Sequence, residues 1–118
     1  MKKELLQRTK MFTIEAWRLC QTLPKEFIDY KRQLIRCSSS VGANYRAACR
    51  AKSTRDFINK LKIVEEELDE SLFFIEIISE LSEKEKGKWA KVYLEGDELL
   101  AIFVKSLITL RENQKKNG

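Results

Sequence analysis

The chain contains no histidine at all. That removes the commonest general base near neutral pH and the most frequent partner of carboxylates in bundle metal sites. Only one proline and four glycines occur in 118 residues, while charged residues reach 35%. Such a composition disfavours a sheet with many tight turns and favours long helices. The three cysteines, Cys20, Cys37 and Cys49, are odd in number and widely spaced. That argues against a disulfide framework or a zinc site, and they read as small buried hydrophobes. No nucleophile motif, phosphate loop or glycine-rich dinucleotide fingerprint is present. An enzyme is therefore not expected, nor any cofactor or metal.

Long hydrophobic runs are missing too. The longest apolar stretch, Leu99 to Leu110, is interrupted by Lys105 and falls short of the roughly 18 residues of a membrane span. The N-terminal Met1-Lys2-Lys3-Glu4-Leu5-Leu6-Gln7 turns polar too soon for a signal peptide. We expect a soluble, cytoplasmic protein with no membrane partner.

What is present is helical periodicity. Hydrophobic residues make up 43% of the chain, enough for one core, and the length suits one domain. Leu5, Phe12, Ala16, Leu19 and Leu23 form one stripe, widened by Trp17, and Pro24 closes it. Leu34, Cys37, Val41, Tyr45 and Ala48 form a second, with the small residues Ser38, Ser39, Ser40, Gly42 and Ala43 among them. Small side chains at these positions let a neighbouring helix approach closely. Ser53 and Asp56 read as a capping box ahead of Phe57, Leu61, Val64, Leu68, Leu72 and Ile75. Ser82 and Glu85 read as another, ahead of Trp89, Val92, Leu99, Ile102, Phe103 and Leu110. These stripes predict helices over about 3–23, 27–51, 54–81 and 83–112, with a frayed tail over 113–118. The fold class is all-α, an antiparallel up-down-up-down four-helix bundle spanning residues 1–118 as a single domain.

The third helix carries a second apolar set, Ile63, Phe73, Phe74, Ile77 and Leu81. Its C-terminal half is thus apolar nearly all round, more than one small bundle covers. Phe73, Phe74, Ile77 and Leu81 are the candidate surface for self-association.

Charge is unevenly spread. Residues 1–60 hold 14 basic against 5 acidic side chains, and residues 61–118 hold 9 against 13. On the second helix, taking about 100° per residue, Arg36 lies about 40° to one side of Arg32, Arg46 about 40° to the other, and Arg50 in line. The four arginines share one face opposite Val41 and span about 27 Å. Lys52 and Arg55 extend the row. Guanidinium binds phosphate oxygens in pairs and stacks on bases. Three readings stay open: a contact surface for RNA or DNA backbone, a solvated face, or a surface pairing with acidic residues of a neighbouring subunit or a protein partner. The acidic run Glu65-Glu66-Glu67-Leu68-Asp69-Glu70 reads as a solvated or partner-facing patch. Asn44, at the margin of the apolar face, reads as a residue satisfied by a structural hydrogen bond.

The segment from Arg36 through Ser38-Ser39-Ser40-Val41-Gly42-Ala43-Asn44-Tyr45-Arg46 to Ser53, with Asp56-Phe57 and the later Lys62-Ile63-Val64-Glu65-Glu66-Glu67-Leu68-Asp69-Glu70-Ser71-Leu72, resembles the bacterial four-helix-bundle proteins encoded in 23S rRNA intervening sequences. The resemblance covers most of the chain and is strongest from Gln33 to Leu81. Many members carry Asn-Ile-Ala-Glu-Gly where this chain has Asn44-Tyr45-Arg46-Ala47-Ala48, so nothing resting on that Glu transfers. The resemblance implies a homopentameric ring. A related branch, the accessory variability determinant proteins of diversity-generating retroelements, binds nucleic acid and a reverse transcriptase through a basic surface. The family as a whole has no settled biochemical function.

Overall fold

The computed structural model describes residues 1–117. Its elements are α1 (Lys2–Cys20), a single 3-10 turn (Lys25–Phe27), α2 (Ile28–Ala48), α3 (Thr54–Leu81) and α4 (Lys86–Asn117). Consecutive helices pack antiparallel and α1 also meets α4, giving a body of 52 × 23 × 20 Å. No strand occurs among the described residues, so the all-α bundle expected from the stripes is what forms.

Each helix turns its stripe inward, except that Trp17, expected to widen the α1 stripe, is exposed. On α1, Leu5, Thr9, Phe12, Ala16 and Leu19 are buried; Thr9 is tolerated there because its hydroxyl donates to the Leu5 carbonyl at 2.8 Å. On α3 the buried row is Ile58, Leu61, Val64, Leu68, Leu72, Ile75 and Ile78, with Phe57 only half-buried. On α4 it is Trp89, Val92, Gly96, Leu99, Phe103 and Leu107, while Ile102 and Leu110 are half-buried. Gly96 lets α4 settle onto Phe12 and Leu72. The α1–α4 seam is closed by Arg8, whose guanidinium donates from Nε and Nη2 to the two oxygens of Glu95 at 3.0 and 2.7 Å and from Nη2 to Glu98 at 3.0 Å. The bond to Glu95, reinforced by Glu98, raises the Arg8 pKa against the opposing effect of burial.

Helix ends depart from the stripes in four places. α1 stops at Cys20, and residues 21–23 unwind through bonds from Thr22 N to Leu19 O and from Leu23 N to Cys20 O. α2 stops at Ala48 and tightens, with Arg50 N on Ala47 O and Ala51 N on Ala48 O. The Ser53 cap is real: its side chain accepts from Asp56 N at 3.1 Å. The expected Ser82–Glu85 capping box does not form. Ser82 is extended and buried, and its hydroxyl accepts from Lys84 N at 3.2 Å. Glu85 sits at φ +60, so α4 begins only at Lys86. Nor does α4 end near 112. No glycine or proline follows Gly96 before Asn117, and Lys115 and Lys116 in its last turn complement the helix dipole. The expected fraying is replaced by helix, and Gly118 lies outside the described residues.

Candidate nucleic-acid interface

α2 buries Leu34, Cys37, Ser38, Val41, Tyr45 and Ala48. That fixes Arg32, Arg36 and Arg46 on its solvent side, where all three are exposed, as is Arg50 just beyond its end. The small residues act as anticipated. A Cβ on Gly42 would lie 3.5 Å from the Thr9 carbonyl oxygen, and the Thr13 hydroxyl donates to the Ser38 carbonyl at 2.7 Å. Asn44 is tied within its own helix, donating to Ser40 O at 2.9 Å and Ser40 Oγ at 2.8 Å.

The basic row is not uniform along its length. Arg36 reaches across to α3 of the same chain, where Nη1 donates to Glu67 at 3.4 Å and Nη2 to Glu70; its Nε donates to Gln33 at 3.4 Å. Glu67 is half-buried; burial pushes its carboxyl up, repulsion from Glu70 adds to this, and Arg36 opposes both. Part of the acidic run thus serves a contact inside the chain, although Glu66 remains exposed. Arg32, Arg46, Arg50, Lys52 and Arg55 are exposed, with no ion pair to any described residue. Arg50 lies on the tightened turn after α2, where each residue advances nearer 120° than 100°. It therefore leaves the line drawn for a continuous α-helix.

Packing gathers cations that sequence spacing does not connect. An open groove of about 600 Å³ runs between α1 and α2, with Lys3 and Lys10 on one side and Arg46 on the other. A second hollow of about 430 Å³, where the α2–α3 turn meets α4, brings Lys2 beside Lys52, Ser53 and Leu110. Ser71 against Cys37 and Tyr93 against Glu76 fix the levels of α3 and α4. The half of the bundle made of residues 1–10, 41–67 and 101–117 then holds 14 basic and 6 acidic side chains, a net of +8. The other half holds 9 and 12, a net of −3. Arg46, Arg50, Lys52 and Arg55 belong to the basic half; Arg32 and Arg36 belong to the other. The α1 and α4 cations were missed because each is ordinary on its own helix. An antiparallel register applied to the predicted helices would have found them.

The apolar set on α3 also divides. Phe73 and Leu81 are 55% and 60% exposed. Phe74 and Ile77 are half-buried. The Phe74 ring lies between Tyr30, at 6.4 Å, and Phe73, at 5.5 Å between centroids. This aromatic patch occupies the half remote from Arg46 and Lys52. Among the described residues no cluster of His, Cys, Asp or Glu is placed to hold a metal ion, and no helix is long and apolar enough to cross a membrane.

No curated protein matches the chain. Among solved structures, the chain is similar to a protein of unknown function from the S23 ribosomal protein family of Bacteroides thetaiotaomicron VPI-5482, determined at 1.70 Å resolution. The two share 24% identity and superpose with a TM-score of 0.81 over 91% of this chain and 98% of the other, a likeness of fold. The model of the family described as 23S rRNA-intervening sequence protein matches residues 1–105, and the chain belongs to that family.

Proposed function

We propose that this chain is a non-catalytic, self-associating bundle that holds the phosphate backbone of RNA or DNA against its basic half. The observation that carries the reading is the separation of charge along the bundle, with Arg46, Arg50, Lys52 and Arg55 exposed and unpaired at the basic half. Arginines in this state can offer two parallel donors to a phosphate. Arg36 takes a lesser part, because Glu67 and Glu70 already occupy it. Phosphate contacts position a ligand without reading its sequence, so binding is general rather than base-specific. Self-association uses Phe73 and Leu81 with Phe74 and Ile77, remote from the basic half, so an assembly leaves that half free. In the homopentamer that the family resemblance implies, repetition of a weak site raises its overall affinity. A nucleic-acid ligand also implies a cytoplasmic protein.

The test is fluorescence anisotropy with a labelled structured RNA across several salt concentrations, for the native protein and Arg46→Glu/Arg50→Glu, with the mass of both checked. Binding that weakens steeply with salt, and is lost in a variant of unchanged mass, supports the reading. Salt-independent binding overturns its electrostatic basis. No binding by the native protein, with a variant that falls to monomers, makes the basic residues a subunit or protein-partner surface instead.

A further inference from the structure

Lys3 and Lys10 are seven residues apart on α1, about 10.5 Å along the axis and about 20° short of two full turns, so they stand on one face. Thr13 opposite Ser38 and Thr9 opposite Gly42 set the register of α1 against α2. The same register carries Arg46 to the level of Leu5, between the two lysines along the axis. Under these three cations lies a floor of Leu6, Ile14 and Ala43, and no acidic side chain lines the groove.

We infer that this groove between α1 and α2 is a track for single-stranded nucleic acid, with phosphates held by Lys3, Lys10 and Arg46 and with sugars and bases over the aliphatic floor. The inference rests on the nucleic-acid reading above and adds to it a form of ligand and two residues of α1. A strand repeats its charge at every nucleotide, so each cation of the rim meets a phosphate wherever the strand lies. An acidic peptide would need carboxylates at matched positions. A duplex presents phosphates outward and keeps its base faces stacked, which leaves the apolar floor unused. Grooves for single strands combine a cationic path along the backbone with surfaces for the bases. Here the floor has no aromatic ring, and Arg46 supplies a planar guanidinium able to stack on a base. The track is therefore indifferent to sequence.

The experiment compares a labelled 15-nucleotide oligouridine, an RNA duplex of the same length and a labelled polyglutamate peptide. Each is titrated by anisotropy against the native protein, Lys3→Gln/Lys10→Gln, and a control at the opposite end of the bundle, Lys25→Gln/Lys84→Gln. Circular dichroism and urea midpoints establish that all three fold alike. Native protein is expected to bind oligouridine more tightly than duplex. The α1 variant is expected to lose about tenfold in affinity and to show a salt slope shallower by about 1.4, two contacts at about 0.7 each. The control is expected to match the native protein. An α1 variant with native affinity and slope, while Arg46→Glu/Arg50→Glu loses binding, overturns the track and leaves the broader reading standing. Tighter binding of duplex or of polyglutamate also overturns it. A native protein that binds no nucleic acid overturns the broader reading and the track with it.

Discussion

Gly96 of α4 lies so close to Phe12 of α1 that a methyl group on the glycine would stand 2.8 Å from the ring, and 2.8 Å from a methyl of Leu72. All three residues are buried. Gly96→Ala gains about 1 kcal/mol of helix propensity but overpacks a rigid site at a cost of about 1–3 kcal/mol. We expect net destabilisation, read as a lower urea midpoint. Gly87, which nothing approaches within 4 Å, is the counterpart: Gly87→Ala raises stability by about 0.5–1 kcal/mol. If both changes shift the midpoint in the same direction, the packing account of Gly96 fails.

Glu85 is the one non-glycine residue with positive φ among those described. The left-handed turn allows Trp89, whose amide bonds to the Glu85 carbonyl at 3.0 Å, to be fully buried one turn later. Holding a side chain there costs about 1–2 kcal/mol, and the ion pair of Glu85 with Lys88 at 3.2 Å is exposed and worth little. Glu85→Gly is therefore expected to raise the thermal midpoint, with about 1 kcal/mol gained. An unchanged or lower midpoint would count against strain at this turn.

Ser53 caps the start of α3 by accepting a bond from the first turn, which no side chain does at the starts of α1 and α2. Ser53→Ala removes the acceptor for Asp56 N and is expected to cost about 1 kcal/mol. Ser53→Asp restores it. Recovery in the aspartate variant separates the cap from any effect of the changed side chain itself.

The thiols give a pH dependence of known sign. Burial pushes Cys20 up to about 11 from an ordinary 9.0, and also raises Cys37 and Tyr45. Between the ordinary and the raised values, the unfolded chain gives up these protons and the folded chain keeps them. Stability is therefore full below about pH 9 and falls as pH rises towards 11, by on the order of 2 kcal/mol for Cys20. Urea midpoints between pH 8 and 11 check the slope. Alkylation at pH 8 should modify half-buried Cys49 before buried Cys20 and Cys37.

Much of the fold was legible from the spacing of side chains. The spacing of Leu34, Cys37, Val41, Tyr45 and Ala48 predicts a buried row, and they are buried. The Ser53 start was legible because a serine three residues ahead of an acid has one strong local meaning. The same pattern at Ser82 misled: its hydroxyl accepts from Lys84 N instead, and the chain passes through the positive φ of Glu85 before α4 begins. The far end of α4 misled because polar residues 113–117 lack a core contact yet contain nothing that breaks a helix.

The candidate site was legible only as far as one helix reaches. Arg32 and Arg46 share a face of α2, and their exposure follows from that face being opposite Val41. That Arg36 would find Glu67 and Glu70, or that Lys3 and Lys10 would meet Arg46, depends on how helices distant in sequence align. Periodicity within a helix carries no information about such levels. Gly42 and Ser38 did mark where α1 comes close, and that mark, taken with an antiparallel direction, held the missing alignment.

The Arg8 fork onto Glu95 joins residues 87 apart in the chain. The largest helix pair, α2 with α3, is by contrast joined through the short turn between Ala48 and Thr54. Contacts close in sequence cost less entropy to bring together, so we expect the α2–α3 hairpin to assemble first and the α1–α4 seam to shut last. An interaction made after the folding barrier slows departure from the native state rather than arrival at it. In stopped-flow kinetics, Glu95→Gln then steepens nothing on the folding limb and lifts the unfolding limb, so the fork works as the latch that sets how long the closed bundle lasts.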